Sequence, residues 1–547
     1  MRRTRFLMAA AGLTVTSTML WATGCTGDSE GLLGGLVIPF EPAGTTIKLT
    51  CKDDPITKPD EIRDDCAIFV RGDASDTDES GSQAKPFKTL QGAIKAAADN
   101  SKWVIACAKN TFTEAVNANI QQTGIVPVYG GFDCSGIKWT APKPSPDGAR
   151  TTLKALADAI PLTLTHGQAT DLSFVMMNFA IEAADATKEG GSSIAVIVND
   201  PRIKATFKNC TLTSGNAKDA SDRSDVPTSM GGLKGTDGAV GSGACDLGAT
   251  HAGGALPPKM CPNGTNNVSQ AGKGGDGDVG TATSGVDGNA TPAPSAPSPD
   301  AGKGGTGEGV NAALKCANGN DGGDGTPGDV GLGGTEIGSI SGAGYVGTSG
   351  GPGLPGTPGS GGGGGGGAKG STVAICSMKQ VSVPGASGGS GGTGGCGGLG
   401  GGGGKPGGSS IALLNIDASV ILMDTTLQSG RGGNGGKGGL GEQGGGGGKG
   451  GDASEGATPA KPSCRGGYGG TGGNGGAGGG GQGGHSLAIA INGGTVIGGT
   501  IPSSETRQPG LGGTAGDGSM AKGKGADGHA VDCLDFGSKT DSNDCKR

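Results

Sequence analysis

The chain has 547 residues and a formal charge of −7 at pH 7, with 125 glycines, 29 prolines and only 3% aromatic residues. Its lightly charged, acidic composition lacks the clustered Lys and Arg that phosphate binding needs, which excludes nucleic acid as a partner. So little apolar and aromatic material also excludes a large conventional core over most of the length, so the compact part is a fraction of the chain.

Residues 1–24 read as an export signal: Arg2, Arg3 and Arg5 precede an uncharged apolar run from Phe6 to Trp21. The run ends in Ala22-Thr23-Gly24-Cys25, which resembles the bacterial lipobox. That resemblance implies lipidation of Cys25 and a membrane as partner through the lipid anchor; Thr26 after the cysteine implies the outer membrane. Ordinary cleavage near Ala22 is the alternative. No later segment is apolar for long enough to span a bilayer. Beyond Cys25, thirteen of the 14 cysteines remain in an exported chain, and an odd number leaves at least one unpaired. Proximity pairs Cys51 with Cys66, Cys107 with Cys134, Cys245 with Cys261, Cys376 with Cys396, and Cys533 with Cys545.

Residues 25–65 read as a tether. Ala67-Ile68-Phe69-Val70 reads as a strand, followed by an acidic loop with Asp73, Asp76, Asp78 and Glu79. Pro86–Ala98 places Phe87, Leu90, Ile94 and Ala97 on one helical face, with Lys88, Gln91 and Lys95 toward solvent. Strands follow at Trp103–Cys107, Val126–Asp133, Leu162–Leu164 and Phe174–Ile181, with the phrase Thr111-Phe112-Thr113-Glu114 between the first two. A Ser-Φ-Ala phrase then recurs at Ser193-Ile194-Ala195, Ser410-Ile411-Ala412 and Ser486-Leu487-Ala488. The first two copies close on Leu-x-Ser-Gly, at Leu212–Gly215 and Leu427–Gly430. One such unit cannot bury its own apolar face, whereas stacked copies share a core.

The order of acidic loop, Pro86-Phe87-Lys88-Thr89-Leu90, valine strand, Thr111–Glu114 phrase and Tyr129-Gly130-Gly131-Phe132 resembles bacterial proteins of the pectate-lyase-like superfamily. The resemblance covers about residues 66–215 and implies an all-β, right-handed parallel β-helix with a short N-terminal capping helix. Asn110 stands where that pattern has glycine, a mild exchange because Asn tolerates positive φ, and Phe112 where it has tyrosine. As a whole the chain looks like the glycine-rich, PGRS-like surface lipoproteins of myxobacteria, a label of composition that implies no activity.

On this reading 66–215, 409–430 and 485–501 are β-helix, 216–408 and 431–484 are glycine-rich insertions, and 502–547 is a glycine-rich tail. Gly-Gly-x triplets such as Gly432–Leu440 and Gly469–Ala477 match the three-residue turn of polyproline II, whose bare glycine edges let helices pack side by side. Glycine loses the most entropy on ordering, so the tracts are either polyglycine-II-like or disordered. Thr281–Pro299 lacks the triplet and reads as a flexible loop; Ser371–Cys376 reads as a strand.

No motif for chemistry completes itself. Asp76-x-Asp78-x-Ser80 opens a calcium-loop spacing, but Phe87 stands at the acidic twelfth position. Asp276, Asp278 and Asp324 sit among glycines without the spacing of calcium-binding nonapeptides. The Gly-x-Ser-x-Gly strings at Ser349 and Ser387 lack the strand and helix of a nucleophile elbow. Arg71-Gly72-Asp73 is a chance tripeptide. Arg202-Ile203-Lys204 copies one polygalacturonase motif without its partner carboxylates, and Asp171, Glu182 and Asp424 stand singly where glycoside hydrolysis needs a pair. His166, His251, His485 and His529 share no ligand spacing. No catalytic, cofactor-binding or metal residue is assigned. The reading is a non-enzymatic, lipid-anchored surface protein whose stalk displays glycine-rich loops for adhesion, matrix or self-association, with extracellular polysaccharide or other surface proteins as partners. The alternative is a polysaccharide-binding or polysaccharide-cleaving β-helix.

Overall fold

The computed structural model describes residues 49, 51, 53–75, 80–122, 124–142, 149–168, 170–225, 232–246, 251–262, 267–295, 298–502 and 507–542. The signal peptide, Cys25, Cys545 and the acids Asp76, Asp78 and Glu79 lie outside them.

Among these residues the chain is nearly all-β, and most strands belong to two sheets of eleven and seven members. One pass of the chain runs Trp103–Cys107, Phe112–Thr113 and Val116–Ile120. The next runs Gly124–Phe132, Thr151–Lys154 and Leu162–His166, and the one after it Leu172–Met177, Phe179–Glu182 and Ser193–Asn199. In each pass the first two strands join the larger sheet and the third joins the smaller. Ile203–Lys208, Thr211–Thr213 and Ser410–Ile416 make a further pass, although the 216–408 insertion separates its last two strands. Ser419–Gln428 with Ser486–Asn492, and Thr495–Thr500 with Ala530–Asp535, follow, and Ala67–Val70 and Thr540–Ser542 complete the two sheets. Pairing between passes is parallel throughout, and the register sets apolar on apolar. Val116, Leu162, Val196, Leu413, Ile489 and Cys533 form one row. Phe112, Leu153, Ile181, Leu212 and Leu427 form another, and Val126, Phe174, Ala205, Val420 and Val496 a third. All three rows fall in one buried cluster, where each large side chain contributes about 1.5–3 kcal/mol.

From the second pass on, the corner after the first strand carries a left-handed residue. It is Gly131 (φ 87), then Asn178 (φ 60), Asn209 (φ 50) and Asp424 (φ 45). The short amides stack here: Asn209 Nδ2 donates to Asn178 Oδ1 at 2.7 Å, and Asn178 Nδ2 to Gly130 O at 3.3 Å. The segment expected as one strand over Phe174–Ile181 is therefore two, broken at Asn178. Asn110 is not among the positive-φ residues, so its replacement of glycine needs no left-handed backbone.

The helix expected over Pro86–Ala98 runs Leu90–Asn100, with Phe87 before it and bridged to Val70. Thr89 Oγ1 accepts the Gly92 N–H at 3.2 Å, and Glu114 accepts the Leu90 and Gln91 N–H groups at 2.7 and 3.1 Å. The Thr111–Glu114 phrase thus serves to cap this helix, meeting donors that no intrahelical carbonyl reaches.

The glycine tracts are hydrogen-bonded to one another at every third residue. Gly350, Gly353, Gly356, Gly359, Gly362 and Gly365 donate to Gly404, Gly401, Gly398, Gly395, Gly392 and Gly389 in antiparallel order. Those latter residues' row in turn donates to the tract 464–482 in parallel order, Gly395 to Gly470 and Gly398 to Gly473 among others. Disorder is not what the chain adopts in these segments. Thr281–Pro299, expected as a loop, also enters the array: Thr283, Val286 and Asn289 accept from Gly367, Gly364 and Gly361. The uninterrupted run Gly361–Gly367 lies at the buried centre. A Cβ on Gly361, Gly364 or Gly367 would stand 2.0–2.3 Å from the carbonyls of Gln270, Lys273 and Asp276; on Gly362 or Gly365, 2.1–2.2 Å from Gly467 and Cys464; on Gly363 or Gly366, 2.1 Å from Lys303 and Thr306. Three neighbours demand three glycines per turn.

Disulfides staple this array. Cys51–Cys66 and Cys107–Cys134 form as sequence proximity suggests, but Cys245 pairs with Cys376 and Cys261 with Cys396, not as expected, and Cys316 pairs with Cys464. The last three close separations of 131, 135 and 148 residues. In the chain-entropy account a loop of that size contributes about 5 kcal/mol, set against the large ordering cost of glycine. Cys533 is also disulfide-bonded. Among the described residues the free thiol is Cys210, fully buried in the apolar cluster between the sheets' strands, and burial pushes it up to about 12.

The array's steric rule is testable at adjacent positions. Nothing lies within 4 Å of a Cβ on Gly446, whereas one on Gly447 meets Gly469 O at 1.8 Å. Gly447→Ala is expected to cost about 3 kcal/mol and Gly446→Ala under about 0.5 kcal/mol, read from thermal or denaturant unfolding.

Candidate interaction surface

Each excursion leaves and re-enters at one corner, and the recurring serines tie that corner. Ser193 Oγ accepts the Gly215 N–H at 2.9 Å. Ser410 Oγ accepts the Gly430 N–H at 2.8 Å and donates to Gly215 O at 2.7 Å; Ser486 Oγ donates to Gly430 O at 2.6 Å. Ser193, Ser410 and Ser486 are register partners. The Ser-Φ-Ala opening and Leu-x-Ser-Gly ending are thus two halves of one clasp.

One residue earlier a second ladder runs. Ser192 Oγ accepts the Ser409 N–H, Ser409 Oγ accepts the His485 N–H, and His485 Nδ1 accepts the His529 N–H, at 2.8–2.9 Å. Because Nδ1 accepts, Nε2 carries the proton and donates to Ile337 O at 2.8 Å. The His485 ring is fully buried beside Tyr345, Phe536 and His529. Burial holds it down at about 4, opposed by the bond to Ile337, while nearby His529 lowers it further. His529 Nδ1 meets Asp541 at 2.9 Å.

Beyond the clasps, every third residue of an outer tract is exposed. Arg431, Leu440, Gln443, Lys449 and Asp452 line one row, and Arg465, Tyr468, Thr471 and Asn474 another. The backbone N–H groups of such rows have no glycine tract to bond, and side-chain oxygens of Asn and Asp take them instead. Asn216, Asp219, Asp222 and Asp225 accept from Arg431, Asn434, Lys437 and Leu440 at 2.7–2.9 Å. Asn318, Asp321 and Asp324 accept from Arg465, Tyr468 and Thr471 at 2.7–3.2 Å. Period-three Asn and Asp is thus the signal of an edge, one the sequence carried but which spacing for calcium did not detect. Asp324 holds Thr471, and Asp276 holds the Gly253 N–H and Lys273. At Pro352, Pro355 and Pro358 proline removes the donor altogether, the first two at exposed positions. Tyr468 is an exposed aromatic on this face, with the Arg465 guanidinium 5.9 Å over its ring.

The groups weighed for catalysis fall elsewhere and are committed. Arg202 grips Asp200 with two bonds at 2.8 and 2.9 Å, and Lys204 meets Asp171 at 2.6 Å. Each of these carboxylates has its own cation, and the Arg202 guanidinium holds Asp200 below the usual range. Glu182 faces Lys154 at 4.0 Å, and Asp424 turns the corner. Glu114 is the carboxyl that burial raises, but both its oxygens hold the helix N-terminus. Arg71 pairs with Asp73 at 2.7 Å. Ser387 is buried, accepting from Ser242 and donating to Ala252, so it is no nucleophile. His166 and His251 are buried with both ring nitrogens against backbone carbonyls. Cys51, Glu61 and Cys66 converge, but the two sulfurs are bonded to each other. No family model matches the chain, and no curated protein or solved structure matches it either.

His485 gives the site a pH signature. Its folded value near 4 lies below the ordinary 6.5, so the unfolded chain binds the extra proton first and stability is lost as pH falls from about 6.5 to 4. The full loss is about 3 kcal/mol, and His485→Asn, which keeps an acceptor without a titrating ring, should flatten it in denaturant titrations across that range.

Proposed function

We propose that the chain is a lipid-anchored, non-enzymatic cell-surface protein in which a right-handed parallel β-helix serves as stalk and the glycine bundle as a displayed platform. The reading rests on one observation: the excursions leave and return at one clasped corner and are bonded into an array whose outward rows carry the side chains. A scaffold of this kind can present Arg431, Lys449, Arg465 and Tyr468 at fixed intervals, about 9 Å along a tract, to extracellular polysaccharide or to other surface proteins. Many long-range disulfides fit an exported chain. The likeness to pectate-lyase-like β-helices and to PGRS-like lipoproteins supports the same architecture, and Cys25 is the residue that would carry the lipid. The cleaving alternative gains nothing from Asp171 and Asp200, each neutralised by its own cation.

Metabolic labelling with a radioactive fatty acid tests the anchor. The wild-type chain is expected to incorporate label and to be cut by protease added to intact cells. Cys25→Ala should lose the label and pass into the medium; a labelled Cys25→Ala protein, or an unlabelled wild type, would overturn the reading.

A further inference from the structure

The tract Gly510–Gly516 lies in a groove between two others. Gly510, Gly513 and Gly516 donate to Gly484, Gly481 and Gly478, while Gln508, Leu511 and Thr514 accept from Gly432, Gly435 and Gly438. The groove does not end where this tract turns away at Gly518. Its walls continue as 441–450 and 466–475, still bonded to each other in the same register, Gly475 to Glu442, Gly472 to Gly445, Gly469 to Gly448 and Gly466 to Gly451. Along the continuation the donors Gly441, Gly447 and Gly450, and the acceptors Gly469, Gly472 and Gly475, are in place and have no partner among the described residues.

What differs is one row of side chains. In the filled half that row is Gly480 and Gly483, where a Cβ would stand 2.0 and 2.1 Å from the carbonyls of Gly513 and Gly510. Three, six and more residues back, the same row is Ala477, Asn474, Thr471 and Tyr468. Asn474 occupies the missing tract's place chemically as well: its Oδ1 accepts the Gly444 N–H at 3.0 Å, the donor next but one after Gly438 in the row that bonds Gln508, Leu511 and Thr514.

We infer that Tyr468, Thr471 and Asn474 are gatekeepers of a latent docking groove, and that the occupant they exclude is a glycine-periodic segment of a second copy of this chain. Continuity with the filled half identifies the occupant: the vacant half offers the same donors and acceptors in the same register, and requires glycine at every third residue of what enters. Such segments abound in this chain, and each would find a matching groove on its neighbour if the row were bare. An unsealed backbone edge is a template for association, and side chains here close it as charges and prolines close the edges of sheets.

Two variants test this. Tyr468→Gly/Thr471→Gly/Asn474→Gly, in the full chain, is expected to shift from monomer to concentration-dependent dimer by light scattering. It should also bind a fluorescent peptide of four Gly-Ser-Gly repeats at least tenfold more tightly than the wild type does, with no gain for a peptide of four Ala-Ser-Ala repeats. In the opposite direction, Gly480→Val/Gly483→Val, whose side chains fill the row without offering an acceptor, should expel Gly510–Gly516, raising hydrogen exchange at the Gly432, Gly435 and Gly438 amides at least tenfold while the amides of Ser193–Asn199 stay protected. A triple variant that melts like the wild type yet stays monomeric and binds the glycine peptide no better overturns the inference. So does equal binding by the wild type, or a double variant that leaves the 432–438 amides protected.

Discussion

A chain with a glycine at every second or third position has almost nothing to bury except its own backbone, and that constraint governs the bundle. Every N–H and C=O taken from water needs a partner, since leaving one unmet costs as much as the bond itself contributes. A three-residue turn sends successive N–H groups in three directions, so one tract bonds three neighbours at once, and the absence of Cβ atoms lets the backbones approach closely enough. The same geometry decides composition residue by residue. Where three neighbours adjoin, as at Gly361–Gly367, all positions are glycine; where a side faces water, the third position carries a side chain.

The parallel sheets solve the problem the bundle cannot solve alone. Ordering glycine is entropically costly, and a free tract has no apolar face to offset it. Each tract here begins and ends on a strand whose buried row fixes its position: Leu212 and Leu413 before and after one excursion, Leu427 and Ile489 around the next. The serine clasps pin the exits to the returns, and the three long-range disulfides cross-link segments of the excursions. Apolar burial thus fixes the ends and hydrogen bonds the middle, while covalent bonds join segment to segment.

This division explains what could be read from residues and what could not. The strand phrases and their stacking order were legible because Ser-Φ-Ala and Leu-x-Ser-Gly recur in order, and the residues that carry them are register partners. The helix was legible from its apolar face, apart from a start displaced to Leu90. The pairing of Cys245, Cys261, Cys316, Cys376, Cys396 and Cys464 was not, because proximity along a chain says nothing once tracts fold back beside one another at period three. Of the edge acids only Asp324 was weighed, and only as a metal ligand, while the row at 219–225 drew no notice, since carboxylate spacing alone does not distinguish a cation site from an edge cap. The rule that separates them is phase: an edge Asp repeats every third residue, in step with the glycines of its neighbour.

Phase also locates where recognition can occur. In a helix or sheet the residues that face a partner and those that hold the fold are interleaved by chemistry, so a surface change often disturbs packing. In the outer tract 466–476 two rows are fixed as glycine by contacts near 2 Å, while the third faces outward, a position that makes no steric contribution to the fold, as Gly446 of the adjoining tract, with nothing within 4 Å, illustrates. Charge, aromaticity and size can vary along that third row while the backbone bonds stay in place. The exposed Arg431, Lys449, Arg465 and Tyr468 therefore reflect what the surface meets more than what the array requires, with one exception. Where an Asn or Asp must answer a neighbour's N–H, the edge itself dictates the residue, and the surface available for binding is what remains between those caps.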